Sequence, residues 1–583
     1  MNNRWRRRWL VLKAAITAMI AAFALSGCGS GDSGGEPSAV ETFTGKVAYI
    51  GNLKGTLSGE MDKVFVNSIP FDGKSVNMPI LIAADSVPSL TPEQIRGVRS
   101  AFDSHQPVVL VHGSASHINS LLGILGLNQN FILPDGLPQD KQYAELFAVD
   151  QEPDGYIFTW AMYPPREGAA ASAENGAPVA TEDIDTDSDQ LARVQLFHTW
   201  MDDDGERVTE QVKAYREEAT KALAAGVKAD NGELTQLAKA FVVTQNFSYQ
   251  GNNYQLSYYI YSCHSFNVAD ATDYDWFYVR QEGILNASGA YGGVKSWYGG
   301  GPSDEVHYFI GNYRMNNWLD GLASPGSGVT LMRTAPENAN NVAQVTSGIS
   351  WNIGGSVGFQ GTQATGALNA GVTISNSTTV NVSDCEVVNN STDNINNARW
   401  RYEFKKPAQT VYYAYTGLQE PPLLSRSTFQ PVNHWIWKFS PAIRNANKSS
   451  FSSQFDVDLI WSVGGQSYAW WIADSAKHYT YYGGSWSFQV PLSFPPLLVA
   501  PRNLDFNAAG DHKTMDLTVS RSWTASSNQP WCQVEPAGGT ADNTRVNITV
   551  DQNTSGASRT AVITFKTADG KGSDTTTVFQ AKN

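Results

Sequence analysis

The chain has 583 residues, of which 42% are hydrophobic and 16% charged, and these proportions exclude a disordered or collagen-like protein. The length suffices for about three or four domains. An aromatic share of 11% with 51 glycines favours a β-rich secreted protein. The formal net charge is −14, and no basic tract lies beyond the N-terminus, so we expect no nucleic-acid partner.

Residues 1–27 have the organisation of an export signal. A basic segment at residues 4–13 precedes an apolar run at residues 14–25, which is too short for a membrane span. The following Leu-Ser-Gly-Cys sequence resembles a bacterial lipobox, which implies cleavage before Cys28 and its lipidation. A plain signal peptide is the alternative. Residues 28–42 are predicted to be a tether, so the protein is expected to be anchored at the bacterial outer membrane or cell surface, or secreted.

Three cysteines remain in the mature chain: Cys263, Cys385 and Cys532. They are too few for a disulfide framework, and no Cys/His spacing indicates zinc. The sequence leaves room for one bridge and does not assign it.

Residues 43–235 are predicted to form an α/β domain, with strands at residues 46–50, 64–66 and 107–111. Thr91, Pro92 and Gln94 form a helix start, because threonine caps, proline suits the first helical position and glutamine lies three residues after the cap. Further helices are expected after His117 and over residues 205–227. Residues 166–190 are predicted to be an exposed, protease-accessible loop.

No motif in this part commits it to catalysis. Residues 107–114 form a strand followed by a His-Gly-Ser turn, which we interpret as a structural βα turn. A hydrolase or anion site is the alternative, although the G-x-S-x-G elbow is missing. Alternating aspartates at residues 183–189 lack the Gly and Glu of a calcium loop. We therefore assign no catalytic, cofactor-binding or metal residue, and expect no cofactor and no enzyme activity.

From residue 244 to 491 the sequence consists of short aromatic and β-branched runs separated by Gly, Asn and Asp turns, which predicts strands. Prolines at residues 495–501 mark another boundary, and residues 502–583 are predicted to form a small β-sandwich. The expected fold is therefore multidomain: an N-terminal α/β domain, a central all-β domain and a C-terminal immunoglobulin-like sandwich.

The most informative stretch is residues 338–383, which contains no Asp, Glu, Lys or Arg where the overall composition predicts about seven. Two segments in it alternate apolar with small polar residues, and each has about the ~9–11 residues that a tilted β-strand needs to cross a bilayer. The apolar set, predicted to face lipid, is Ile349, Trp351, Ile353, Val357, Phe359, Leu368, Ala370, Val372 and Ile374. The polar set, predicted to line a water-filled lumen, is Ser350, Asn352, Ser356, Gln360, Asn369, Thr373 and Ser375.

A single hairpin cannot span a membrane alone, because its edges would leave backbone groups unpaired in lipid. Copies from several subunits that close into one barrel would satisfy those groups. The alternative is a hairpin in a water-soluble sandwich, where one-face alternation is equally common. The lack of charge argues against that alternative, since a solvated face normally carries charged residues.

The motifs after the hairpin occur in a recognisable order: a W-x-x-x-F strand at residues 400–404, an F-S-P segment at 439–441, an aromatic D-V strand at 451–461 and tryptophans at 470–471. This order resembles the leukocidin/hemolysin family of β-barrel pore-forming toxins. The resemblance covers about residues 244–492 and implies a pore-forming domain at 236–498, with a stem at about 347–382. It also implies a soluble monomer that assembles on membranes into a homo-oligomeric ring.

In that family a membrane-contacting rim lies between the W-x-x-x-F strand and the F-S-P segment, here about residues 409–435. Tyrosine and tryptophan favour membrane interfaces, and an aromatic cage could hold a choline headgroup of a target-cell lipid. Core aromatics are the alternative. The positions matching the rim are Tyr412, Tyr413, Tyr415, Leu418, Leu423, Leu424, Arg426 and Trp435.

Residues 502–583 resemble a BACON domain through Trp523, residues 531–534, the Pro-Ala-Gly-Gly segment at 536–539 and a closing Val-Phe-Gln. The resemblance implies an immunoglobulin-like sandwich that binds a cell-surface glycan or acts as a spacer. Trp523 and Trp531 are expected in its core rather than as sugar platforms.

The sequence therefore predicts a secreted or surface-tethered pore-forming cytolysin. A non-inserting, glycan-binding adhesive lipoprotein is the first alternative, and a hydrolase centred on the N-terminal domain is the second. Residues 43–235 are interpreted as a pro-domain released by cleavage at 166–190 or 228–232, with a permanently attached receptor-binding domain as the competing idea.

Overall fold

The chain divides into two compact units, Met1–Thr42 and Phe43–Asn583, and all the elements below lie in the second. The predicted signal peptide, Cys28, most of the tether, the predicted helix at 205–227 and the link at 228–232 lie outside the described residues. The computed structural model describes residues 40–53, 55, 57–74, 77–127, 131–151, 157–165, 187–202, 233–249, 251–267, 272–288, 305–322, 328–353, 372–392, 396–412, 415–440, 450–464, 476–492, 497–500, 503–519, 522–540, 545–568 and 573–583.

The N-terminal part alternates short strands with helices, as the sequence predicts for an α/β arrangement. In chain order its elements are β1 (Val47–Ile50), α1 (Ser58–Val64), β2 (Ser68–Pro70), β3 (Ile80–Ala83), α2 (Pro92–Asp103), β4 (Val108–Gly113), α3 (Ala115–Ile124), β5 (Ala144–Gln151), β6 (Ile157–Met162) and α4 (Asp187–Asp202).

These elements form three layers. Strands β2-β1-β3-β4 are parallel, and β5 and β6 extend the sheet in antiparallel fashion. Helices α2 and α3 pack on one face of the sheet, and α1 and α4 pack on the other. Ile80 and Ile82 point into the first core and Leu81 into the second, which explains the unbroken apolar run of a strand buried on both faces.

Local sequence signals predict several of these elements correctly. Thr91 caps α2, since its hydroxyl accepts from the Gln94 backbone N–H and the Gln94 side chain accepts from the Thr91 N–H at 3.0 Å. The predicted strand at 64–66 is wrong, because Val64 ends helix α1. Residues 187–190 of the predicted loop open helix α4, and residues 166–186 lie outside the described residues.

The central part is built of long strands. They are β7 (Glu233–Tyr249), β8 (Asn252–Asn267), β9 (Thr272–Asn286), β10 (Glu305–Trp318), β11 (Val329–Ala335), β12 (Gln344–Ile353), β13 (Val372–Asn381), β14 (Cys385–Asn389), β15 (Ala398–Phe404), β16 (Gln409–Tyr412), β17 (Tyr415–Leu418), β18 (Thr428–Phe429), β19 (Val432–Phe439), β20 (Ser450–Gly464) and β21 (Lys477–Pro491).

Two of the resulting sheets face each other as a sandwich. One contains β11-β19-β9-β8-β7, and the other has the order β14-β15-β10-β20-β21. Aromatic side chains fill the space between them: Trp437 contacts Phe451, and Tyr254 contacts Phe455. The predicted all-β character of this part is confirmed.

The sheet of the N-terminal part continues into the sandwich without a break. Strand β6 pairs in parallel with β7, from Ile157–Phe241 to Met162–Asn246, and one buried core extends from α2 and α3 to the aromatic centre of the sandwich. The Asp135 N–H also donates to the Ser487 carbonyl of β21 at 2.7 Å. The boundary predicted at residue 235 is therefore crossed by both backbone pairing and side-chain packing.

The C-terminal part is a second, smaller sandwich with its own core. It begins at Leu497, several residues before the predicted start at 502. Trp523 is fully buried in that core, and Arg559 lies over the half-buried Trp531 ring at 4.1 Å. Its strands are β22 (Leu497–Ala500), β23 (Asn503–Phe506), β24 (Asp511–Val519), β25 (Trp523–Ser527), β26 (Cys532–Glu535), β27 (Gly538–Gly539), β28 (Arg545–Val550), β29 (Arg559–Thr567) and β30 (Ser573–Gln580).

Two cysteines are described with their side chains, and both are free buried thiols, Cys385 and Cys532. Burial raises the pKa of each. Among the described helices, none combines the length and apolar character that a membrane span requires.

Candidate functional site

The uncharged stretch forms a hairpin that is separate from the large sheets. Within the described part of the chain, strands β12 and β13 pair only with each other, from Gln344–Asn381 to Ile353–Val372. Residues 354–371, between the two strands, lie outside the described residues. They include seven of the predicted stem positions: Val357, Phe359, Leu368, Ala370, Ser356, Gln360 and Asn369.

The register of the hairpin matches the two predicted sets of residues. Trp351 pairs with Ile374 and Ile353 with Val372, whereas Asn352 pairs with Thr373 and Ser350 with Ser375. Directly opposite residues of an antiparallel pair share a face, so positions predicted to face lipid are grouped with one another, and lumen positions likewise. Ile349 is the exception, since it lies opposite Asn376.

The base of the hairpin is fixed in the sandwich. The fully buried Ser347 hydroxyl donates to the Val432 carbonyl at 2.6 Å, and the Val382 N–H donates to the Ala343 carbonyl at 2.9 Å. Val380 is buried in the main core. The stem predicted at 347–382 therefore starts and ends at anchored positions.

The hairpin lies beside the first sheet of the sandwich. Strand β12 approaches β11 and β19, and β13 approaches β7. Strand β8 pairs along β7, and β6 pairs with Phe241–Asn246 on its other edge. One face of β7 packs inward, where Phe247 stacks on Trp486.

Among the predicted rim residues whose side chains are described, exposure varies from residue to residue. Leu423 has 67% of its surface exposed and lies in a short 3-10 turn, Leu423–Ser425, while Leu424 is half-buried. Arg426 pairs with Glu420 at 3.3 Å and donates to the Pro421 carbonyl, which fixes the turn.

Tyr412 and Tyr415 are opposite each other where β16 and β17 meet. Tyr413 lies outside the described residues. The tight pairing places both described tyrosine positions at the tip of one short hairpin.

Two predicted rim residues belong to the interior instead. Trp435 is fully buried against Trp400, Trp437 and Phe451, because β19 is an internal strand between β9 and β11. Leu418 is also buried. Their assignment to the rim is wrong, and for Trp435 the alternative of a core aromatic holds.

Sequence analysis missed a buried polar network that joins the two sheets of the sandwich. Gln281 donates to the Tyr258 hydroxyl at 2.7 Å, and Asn433 donates to the Gln281 side-chain oxygen at 2.9 Å. Tyr402, on the opposite sheet, donates to Asn433 at 2.7 Å. Asn433 and Trp435 are two residues apart in one strand, so their side chains point to the same face. This spacing is the sequence signal that could have revealed the network.

A second chain of contacts extends the network from Tyr258. Its hydroxyl lies 2.6 Å from that of Ser453, which donates to Asn317 at 2.8 Å. All of these side chains are buried. Because buried polar groups without partners are costly, the network favours one arrangement of the two sheets.

The His-Gly-Ser segment of the N-terminal part lies at the turn between β4 and α3. The Ser114 hydroxyl caps α3 and lies 3.1 Å from the His117 ring. Within the described ranges, no group of three or more His, Cys, Asp or Glu side chains is arranged to hold a metal ion.

Comparison with known families confirms both resemblances seen in the sequence. Residues 321–419, which include the hairpin and β14–β17, match the model of the Leukocidin/Hemolysin toxin family. Residues 521–581 match BACON, described as a putative binding domain, N-terminal. No curated protein matches the chain.

Two solved structures show limited similarity. The Clostridium perfringens NetB toxin in the membrane inserted form is 12% identical over 44% of this chain and 96% of that chain, with a TM-score of 0.25. A Bacteroides ovatus GH5 xyloglucanase in complex with a XXXG heptasaccharide is 31% identical over 15% of this chain, with a TM-score of 0.14. The alignment spans 19% of the xyloglucanase chain.

Proposed function

We propose that the protein is a pore-forming cytolysin that oligomerises on a target membrane and inserts one hairpin per subunit into a common β-barrel. The observation that carries the proposal is the hairpin β12–β13, whose uncharged strands pair apolar with apolar and polar with polar positions from Ser350 to Ile353. A barrel closed from several such hairpins leaves no backbone group unpaired in lipid. The family match over the same residues supports this assignment.

The rim contributes the first contact with the membrane in this proposal. The exposed Leu423 and the tyrosine positions at the β16–β17 tip would lie at headgroup depth, where amphipathic rings and isolated apolar side chains are favoured. A choline headgroup is the lipid group that such aromatic rings would hold.

The N-terminal α/β part would remain on the outside of the assembled ring. Removing it would separate β6 from β7 and leave the six residues Phe241–Asn246 of β7 as an unpaired edge. An exposed strand edge promotes aggregation. The continuous sheet therefore favours the attached alternative over release of a pro-domain.

The C-terminal sandwich would act as a spacer or glycan-attachment module. Trp523 is enclosed in the core and presents no stacking platform, and Arg559 occupies one face of the half-buried Trp531. These contacts favour the spacer role.

Dye release from phosphatidylcholine liposomes tests the proposal. The mature protein is expected to release an entrapped fluorophore and to form rings visible by electron microscopy. Glycan binding without leakage would support the adhesin instead, and ester or glycoside turnover without leakage would support the hydrolase.

A further inference from the structure

One face of the hairpin consists of neutral hydrogen-bonding residues and a glycine. In the register of β12 and β13, the even-numbered positions of β12 lie opposite the odd-numbered positions of β13, and directly opposite residues share a face. We call this the polar face. Its five pairs are Gln344–Asn381, Thr346–Thr379, Gly348–Ser377, Ser350–Ser375 and Asn352–Thr373.

At the base of the hairpin, the polar face is the side that water contacts. On the opposite face, Ser347 and Val380 are buried. The pairing continues without a shift of register from the base to Ile353–Val372, so the positions farther along the strands belong to the same face as those at the base. The polar-face residues whose side chains are described are all exposed: Gln344, Thr346, Thr379 and Asn381.

The charged residues nearest to the hairpin in the sequence lie beyond its base. Glu337 precedes the uncharged stretch and Asp384 follows it, and both are exposed. The two flanking segments are held together where Ala339 and Val387 exchange backbone hydrogen bonds at 2.9 and 2.8 Å. Because Val387 belongs to β14 of the second sheet, these acidic residues lie on the sandwich side of the hairpin rather than along its strands.

We propose that the assembled pore conducts small hydrophilic solutes without regard to the sign of their charge, because the polar face of each hairpin lines its lumen. This inference rests on the proposed pore-forming function and adds the class of solute that the pore admits.

The physical reason is the absence of a charged ring from the polar face. Charge selectivity in channels arises from rings of charged side chains, acidic for cations and basic for anions. The sequence of the hairpin supplies neither. Hydroxyl and amide side chains both donate and accept hydrogen bonds, so a lining of such residues suits cations, anions and uncharged polar solutes alike. Size then remains as the criterion for entry.

The acidic residues beyond the base determine the salt concentration at which the lumen is measured. Repeated around a ring, Glu337 and Asp384 would attract cations to the mouth of the pore. Their field is screened beyond about 10 Å at 0.1 M salt and beyond about 3 Å at 1 M. A measurement at about 1 M salt therefore reports on the lumen rather than on the mouth.

The ratio of potassium to chloride permeability tests the proposal. It is obtained from the reversal potential of the wild-type protein in planar phosphatidylcholine bilayers, under a KCl gradient centred at about 1 M. The ratio is expected to lie within about twofold of unity, as for a channel without a charged ring. A ratio outside that range would overturn the proposal.

Paired variants test whether the polar face lines the conduction path. Ser375→Asp should shift the permeability ratio severalfold toward potassium, and Ser375→Lys should shift it severalfold toward chloride. The same two changes at Thr379, which is exposed at the base, provide a second position if a Ser375 variant does not fold. Thr575→Asp, at an exposed threonine of β30 in the C-terminal sandwich, is the matched control and should keep the wild-type ratio. Unmoved ratios in the folded polar-face variants, or an equal shift in the control, would overturn the assignment of this face to the lumen.

Leakage from liposomes separates this inference from the proposed function. Phosphatidylcholine liposomes loaded with size-matched anionic, cationic and uncharged fluorophores should release all three at rates within about twofold of each other. Release that depends on the sign of the charge rejects the unselective lumen and leaves the pore intact. Absence of release for all three rejects the pore itself.

Discussion

The phenol of Tyr163 donates a 2.6 Å hydrogen bond to the side-chain oxygen of Gln245, inside the core shared by the N-terminal α/β part and the sandwich. The Asn246 side chain reinforces this junction by donating to the Ala161 carbonyl at 2.9 Å. The two parts are thus joined by buried polar bonds as well as by the pairing of β6 with β7.

Cleavage between the two parts is therefore expected to leave them together. A site for a sequence-specific protease, inserted in the predicted link at residues 228–232, should yield two fragments that co-elute in gel filtration and retain liposome leakage. Uncut protein treated identically is the control. An N-terminal fragment that elutes alone, with faster lysis by the remainder, would restore the pro-domain interpretation.

The two faces of the hairpin are expected to respond differently to charge. Val372→Arg places a charge among the apolar positions, where it costs up to about 2–4 kcal/mol per subunit at the bilayer centre, and should abolish leakage while the soluble fold persists. Thr373→Asp, one residue along the same strand, should still allow leakage and increase cation selectivity. Equal losses in both variants would contradict the assigned faces.

The rim prediction divides into exposed and buried positions. Leu423→Glu should weaken liposome sedimentation without changing the melting temperature, because exposed substitutions usually alter stability by no more than about 0.5 kcal/mol. Trp435→Ala should instead lower the free energy of unfolding by about 3–5 kcal/mol, as expected for a large core side chain. Undiminished liposome binding by Leu423→Glu would remove this turn from the rim.

The buried polar network provides a matched pair of tyrosines. Tyr402→Phe removes the donor to Asn433 and should cost about 1–3 kcal/mol, because an amide oxygen is left buried without it. Tyr313→Phe is the control, since its buried hydroxyl has no hydrogen-bond partner among the described residues, and it should be neutral or stabilising. Urea denaturation measures both. Equal stability of the two variants would show that the network contributes nothing.

Elements with local signals could be predicted from the sequence. The start of α2 is determined by the capping residues Thr91 and Gln94, which are only three residues apart. The alternation in β12 and β13 predicts which of their residues share a face. Trp435 could not be placed, because an aromatic residue suits a membrane interface and a core equally well. The pairing of β6 with β7, and the Gln281–Asn433 contact, join residues far apart in the chain, so no local pattern encodes them.

Cys385 has a free thiol and lies just after β13, where the hairpin joins the sandwich. Its backbone N–H donates to the Val382 carbonyl. Because burial raises the thiol pKa, little thiolate is available to a maleimide at neutral pH while this junction stays closed. Rearrangement of the junction during insertion would expose this sulfur. Maleimide labelling of Cys385 would therefore report insertion of the hairpin without an engineered cysteine.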